Sequence, residues 1–231
     1  MNTLKLLFIS ALLLLVSACG GGGGGGGSDS STSTPPPTSI YAKSLWSSLT
    51  RTQKSWSSTG SANGSNYTVS FTATPQGQAS TSSATFNVVD FSVASTVNGS
   101  TQSIDTTRVY VDQSDLKVGY VIWPQNAECL DISNTSVLPE TAAINTTGNL
   151  TDGYVRTYSG NACQITMSLN SHAFNWTYKL ENNAPYFCIE SKRMWLADTT
   201  YAVSFCFGVN QTGDALTTKF IYTDGTLKTS N

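Results

Sequence analysis

Apolar and polar residues alternate with a period of two along most of the chain beyond residue 66. This period places successive side chains on opposite faces of an extended strand, so each segment has one face suited to a core. The alternating segments are Tyr67–Ala73, Phe86–Val93, Ile104–Val111, Val118–Trp123, Ile165–Leu169, Phe174–Leu180, Tyr201–Val209 and Phe220–Tyr222. About ten strands with little helix predict an all-β fold, either an antiparallel β-sandwich or a flattened barrel.

One segment before the strands has a different period. Apolar residues recur there at the spacing of a single helix face, which predicts a short N-terminal helix. These residues are Tyr41, Ala42, Leu45, Trp46 and Leu49.

Turn signals separate several of the strands. Asn98-Gly99 predicts a tight hairpin, because both residues tolerate a left-handed backbone. Asp112–Asp115 and Asp224-Gly225 are also typical of turns. At Val88-Val89 the apolar face changes parity, which predicts a β-bulge near this point.

The segments 60–125 and 170–231 resemble each other weakly, which suggests an internal repeat of two related four-stranded halves. Alternating strands rich in threonine would also look alike without any duplication. The offset between matching segments is nearly constant, at 109, 112 and 111 residues, for Tyr67–Val69 with Trp176–Tyr178, Phe91–Val93 with Val203–Phe205, and Thr107–Tyr110 with Thr218–Ile221.

The start of the chain has the layout of an export signal. Lys5 supplies one positive charge, and Leu6–Val16 is a mostly apolar run, too short to span a bilayer of about 30 Å as a helix. Ser17 and Ala18 are small, as a signal peptidase requires. Residues 1–18 are therefore predicted to be a signal peptide.

Val16-Ser17-Ala18-Cys19 resembles the lipobox of bacterial lipoproteins, a family that more often has Leu at the first of these positions. The resemblance implies that Cys19 becomes the mature N-terminus and carries three acyl chains, such as palmitate. Two lipid signals usually suffice for stable anchoring, so three should hold the protein firmly in a membrane. Gly20 follows the cysteine, and in enterobacterial lipoproteins this implies sorting to the outer membrane. The alternative is plain secretion, with Cys19 incidental.

A low-complexity segment follows the predicted lipidation site. Gly20–Gly27 has no side chains to bury, and Pro35–Pro37 favours an extended conformation. We expect residues 19–39 to form a disordered tether with a reach of about 25 Å, and residues 40–231 to form the β domain. The polyglycine tether, Leu138-Pro139-x-x-Ala142 and the late cysteines are similar to those of uncharacterised proteobacterial lipoproteins, a group with no activity to transfer.

The charge balance gives no reason to expect a nucleic-acid partner. The full chain has 12 basic and 14 acidic residues, and removal of Lys5 with the signal peptide leaves 11 basic residues and a formal charge of −3. A weakly acidic surface does not attract nucleic acid or anionic lipid.

Four cysteines remain once Cys19 is assigned to lipid, and an even number in an oxidising compartment predicts two disulfides. Three pairings are open in principle. We expect Cys188 with Cys206, because these residues lie on consecutive predicted strands at equal distances from the intervening turn, and therefore Cys129 with Cys163. Zinc is the alternative, but the chain has no Cys-x-x-Cys and a single histidine, so no cofactor is predicted.

Candidate catalytic residues are sparse. His172 has neither a Gly-x-Ser-x-Gly motif nor a second histidine to accompany it, so a structural or solvent-facing role is expected. The carboxylates are scattered, and only the fold could bring two of them together. Leu138–Ala142 resembles a sortase signal but lies far from the C-terminus, so a loop is the better interpretation.

Lys192–Leu196 is the strongest candidate for a contact surface. Arg193, Met194, Trp195 and Leu196 are predicted to lie in a turn, where three apolar side chains beside a positive charge need a cover. That cover is either a partner or the protein's own sheet. Trp123-Pro124 is a weaker candidate of the same kind.

These features predict a lipid-anchored protein of the bacterial cell envelope, most consistent with the outer membrane. We expect a non-enzymatic binding or envelope-assembly module whose partner is an envelope protein or glycan. The alternative is an envelope glycan hydrolase that uses a carboxylate pair assembled by the fold.

Overall fold

The computed structural model describes residues 37–62, 64–160, 162–164, 170–195, 200–222 and 228–230. The predicted signal peptide, Cys19 and most of the predicted tether lie outside the described residues. So do the strand predicted at Ile165–Leu169 and the turn predicted at Asp224-Gly225.

The predicted N-terminal helix is confirmed as α1, Ala42–Arg51. The apolar face that defined its period points into the protein, where Leu45, Trp46 and Leu49 are almost completely buried. The indole nitrogen of Trp46 donates a hydrogen bond of 3.1 Å to the carbonyl oxygen of Leu116, which satisfies the one polar atom of this buried ring.

Strands make up most of the described chain, together with a short 3-10 helix at Pro124–Asn126. The strands are β1 Ser39–Ile40, β2 Lys54–Ala62, β3 Ser65–Ser80, β4 Thr85–Val97, β5 Ser100–Asp112, β6 Val118–Trp123, β7 Glu128–Thr135, β8 Ala142–Ala143, β9 Thr146–Ser159, β10 Ala162–Cys163, β11 Asn170–Glu181, β12 Ala184–Trp195, β13 Thr200–Val209, β14 Ala215–Tyr222 and β15 Lys228–Ser230.

The sheet is an antiparallel up-and-down ring. Each strand from β2 to β7 pairs with the next, β7 pairs with β9, β9 pairs with β11, and each strand from β11 to β15 pairs with the next. β15 returns to β2 through the pair Ser230 and Thr59, which makes the sheet a nearly closed barrel. The predicted all-β fold, a sandwich or flattened barrel, is confirmed.

Two places in the ring have short ladders. β6 and β7 pair only at Ile122 with Cys129 and at Trp123 with Glu128, and β15 meets β2 at a single pair. Elsewhere in the described ring, neighbouring strands are paired over three to thirteen positions. The ring therefore has two weakly joined seams.

Aromatic side chains fill the interior. The Phe71 ring lies 5.5 Å from Phe207 and 5.7 Å from Phe91, and Phe91 stacks on Trp46 of α1 at 5.9 Å. Rings at these separations and angles pack as they do in ordinary protein cores. A hollow beside Phe71, lined also by Ser58 and Phe205, is only about the size of one water molecule.

The parity change at Val88-Val89 has a different cause from the predicted bulge. β4 pairs with β5 without interruption across both residues, so Val88 faces outward and Val89 inward. The irregularity lies in the partner strand β3, between Pro75 and Gly77. Val88 is apolar because the outer face of β4 is itself covered, by tyrosines described below.

The strand order does not follow the predicted internal repeat. The aligned segments lie on β3, β4 and β5 in one half and on β11, β13 and β14 in the other. β3 and β4 are antiparallel neighbours, whereas β12 separates β11 from β13, which therefore run in the same direction. The matching segments are not repeats of consecutive strands.

Both predicted disulfides are present. Cys188 and Cys206 stand directly opposite each other on β12 and β13, with Cα atoms 3.9 Å apart. Cys129 on β7 is bonded to Cys163 on β10, with Cα atoms 5.9 Å apart. Their sulfurs are therefore bonded to one another rather than available as metal ligands.

The first described residues are fixed to the ring beside α1. The Tyr178 hydroxyl donates a hydrogen bond of 2.7 Å to the carbonyl oxygen of Pro37, and β1 pairs with β8. Leu138 is buried in the segment that leads into β8, so Leu138–Ala142 is a structural connection. None of the described helices is long and apolar enough to cross a membrane.

Each disulfide should stabilise the fold. Replacing Cys188 and Cys206 by Ala together, or Cys129 and Cys163 together, should lower the free energy of unfolding by about 2–4 kcal/mol, because each bond closes a loop in the unfolded chain. Urea denaturation measures this loss. A Cys129–Cys188 or Cys129–Cys206 link in a non-reducing peptide map would contradict the pairing.

Candidate functional site

Three of the four predicted contact residues lie in a strand rather than in a turn. Arg193, Met194 and Trp195 are the last residues of β12 and pair with β11, so the predicted turn position was wrong. The Trp195 side chain and all of Leu196 lie outside the described residues. Arg193 and Met194 are neighbours on one strand, so their side chains point to opposite faces of the sheet.

Arg193 points inward and binds Glu128 of β7. Its two terminal nitrogens donate hydrogen bonds of 3.0 and 2.8 Å to the two carboxylate oxygens of Glu128. The side chains of this pair are 18% and 26% exposed. A paired and mostly covered guanidinium of this kind stabilises the ring and is not a contact surface, which corrects the prediction for Arg193.

His172 lies beside this ion pair, at the end of the ring away from α1. It stands opposite Arg193 in the register of β11 and β12. The Trp123 ring is 4.9 Å from the imidazole and the Phe174 ring is 4.6 Å from it. Trp123 is buried in this cluster, so the protein itself covers the indole, which is the alternative to a contact surface at Trp123-Pro124.

The environment keeps His172 neutral. Burial, and secondarily the charge of Arg193, lower the pKa of His172 to about 3. Its Nε2 lies 2.9 Å from the Ser191 hydroxyl oxygen, a hydrogen bond in which either group can donate. Both carboxylate oxygens of Glu128 bind Arg193 rather than the imidazole. The arrangement favours a structural histidine over a general base.

Many of the described carboxylates are held by cationic side chains. Asp90 receives two hydrogen bonds from Arg108, at 2.7 and 2.8 Å. Glu181 binds Lys219, and Asp131 accepts a bond of 3.1 Å from Arg156. Asp115, Glu128 and Glu140 are likewise ion-paired. No cluster of three metal-ligating side chains occurs within the described ranges.

The outer wall of the ring carries a row of exposed and half-buried side chains. Tyr110 on β5 pairs with Tyr120 on β6, and Asp131 on β7 pairs with Tyr154 on β9. The row continues through Ser171 to Met194, which is exposed. Tyr120 and Tyr154 are 49% and 50% exposed.

An apolar layer lies beneath part of this row. Phe86, Val88 and Ile122 face outward yet are buried. The Tyr120 ring meets Phe86 edge-on at 5.6 Å and Tyr110 edge-on at 5.8 Å. These two tyrosines therefore pack on an apolar layer, and about half of Tyr120 remains exposed to solvent.

The sequence carried little signal for these residues. Glu128 and Arg193 are 65 residues apart, and neither belongs to a motif. Tyr120 and Tyr154 lie at polar-face positions of their strands, where a tyrosine can be chance. The available clue was an aromatic residue at an outward-facing position in each of two strands. Comparisons add none, since the chain matches no protein-family model and no curated protein or solved structure is detectably similar to it.

The buried neutral His172 should make stability depend on pH. The unfolded imidazole titrates near pH 6.5, whereas the folded pKa is about 3. Acid therefore favours the unfolded state, and this contribution is complete above pH 6.5 and is lost as the pH falls toward 3. The slope should approach ~1.4 kcal/mol per pH unit below the unfolded pKa.

Urea titrations of the wild type and of His172→Gln between pH 7 and pH 5 measure this slope, in a range where most carboxylates stay ionised. The Gln variant should lose most of the dependence, because the amide does not titrate. An unchanged slope in the variant would show that His172 is not buried in its neutral form.

Proposed function

We propose that this protein is a non-enzymatic binding or assembly module of the bacterial cell envelope, anchored by a lipid on Cys19. The single observation that carries the binding role is the filled interior of the ring. Aromatic side chains and α1 occupy the space that a ligand would need inside a barrel. A partner must therefore meet the outside of the wall.

The ion pairs favour binding over glycan hydrolysis. A glycosidase needs one carboxylic acid and one carboxylate about 5–9 Å apart beside its substrate. Asp90 and Glu128 instead give both carboxylate oxygens to a guanidinium, and Asp131 gives one oxygen to Arg156, so these oxygens are not open to a substrate. The proposed role therefore rests on recognition rather than bond cleavage.

The attachment of the first described residues supports a tethered arrangement. Pro37 is held by Tyr178, and β1 is held by β8, so a pull on the N-terminal segment would act on the ring next to α1. Two disulfides fit the oxidising compartment that the export signal implies. In this proposal the anchor is the lipid on Cys19, which the resemblance of Val16–Cys19 to a lipobox implies.

Replacement of the lipid acceptor tests the proposal. Cys19→Ser should move the protein from the membrane fraction to the soluble fraction, or leave an uncleaved precursor, because serine offers no thiol for acylation. Metabolic labelling with a radioactive fatty acid and detergent phase partitioning measure the two effects. Ser17→Ala is the matched control, since it keeps a small residue before the cleavage site and should remain labelled.

A Cys19→Ser protein that is processed and membrane-bound like the wild type would contradict the anchor.

A further inference from the structure

We propose that the outer wall between β6 and β9 binds a linear, uncharged glycan chain through Tyr120 and Tyr154. This inference deepens the proposed binding role and rests on it. This part of the wall carries two half-exposed aromatic rings and one carboxylate–guanidinium pair.

The position of the two rings follows from the strand register. Ile122 on β6 pairs with Cys129 on β7, and Tyr120 and Asp131 each lie two residues from that pair, on the same outer face. Asp131 pairs with Tyr154 on the next strand. Tyr120 and Tyr154 therefore lie on the same face of the sheet, on the two strands that flank β7. An extended chain lying across the strands can contact both rings.

The groups between the rings supply hydrogen bonds. The Arg156 Nε donates to Asp131 at 3.1 Å, and the guanidinium carbon lies 5.5 Å from the centre of the Tyr154 ring. Asp131 keeps half of its side chain exposed. A carboxylate accepts hydrogen bonds from sugar hydroxyls, while tyrosine rings pack against the C–H faces of sugars.

Charge decides which polymer fits. Asp131 on β7 is paired with Arg156, and Asp90 on β4 is paired with Arg108 on β5. These two ion pairs contribute no net charge to the wall, whereas binding of a polyanion or a polycation needs an excess of the opposite sign. A neutral polyhydroxylated chain matches the aromatic rings and the paired charges together.

Binding of neutral oligosaccharides tests the inference. The lipidated full chain, in phosphatidylcholine vesicles, is titrated with hexamers of glucose, mannose and N-acetylglucosamine by calorimetry and ligand-observed NMR. At least one hexamer should bind, and Tyr120→Ala and Tyr154→Ala should each weaken it roughly tenfold, the loss of one anchor residue. Tyr120→Trp should retain binding, because the indole offers a larger face.

Tyr41→Ala is the matched control, since Tyr41 is also half exposed but lies before α1, away from the wall. Binding of no hexamer at millimolar concentration would overturn the inference. So would an equal loss in Tyr41→Ala, or wall variants that lose an envelope protein while no glycan binds. These outcomes leave the anchor untouched, because fatty-acid labelling of Cys19 is measured separately.

Discussion

A sheet that closes on itself must fill the space that it encloses, and the rest of this structure depends on that requirement. The inward-facing residues of every strand must have side chains large enough to meet at the centre of the ring with the packing density of a protein core. Here Phe71 and Phe207 meet across the ring, and α1 contributes Trp46 against Phe91. The ring closes at two short ladders, where few backbone hydrogen bonds join the strands. The packed interior and α1 therefore contribute much of the stability that long ladders provide elsewhere in the ring.

Filling the interior leaves recognition to the outer wall. One end of the ring holds buried polar groups, but His172 is neutral and bonded to Ser191, and Arg193 is bound to Glu128, so their recorded bonds are to one another. Tyr120 and Tyr154, at outward-facing positions of β6 and β9, are instead exposed to solvent. The same alternation that builds the core thus sets out the candidate binding surface.

Local signals in the sequence predicted much of the fold. The period of two along β13 and the helical period of α1 are decided by nearby residues, and Cys188 meets Cys206 because both flank one hairpin. Long-range pairing was beyond such signals. Arg193 was placed in a surface turn, whereas register with His172 turns it inward toward Glu128, 65 residues away. No local sequence feature predicts the closure of the ring through Ser230.

The central claim is that α1 completes the core of the ring, and the stability of Trp46→Ala tests it most directly. Trp46 is almost fully buried, so its loss should lower the free energy of unfolding in urea by about 3–5 kcal/mol. Leu216→Ala, at a highly exposed position, is the comparison and should change stability by less than ~0.5 kcal/mol. A Trp46→Ala protein as stable as the Leu216→Ala protein would contradict the account.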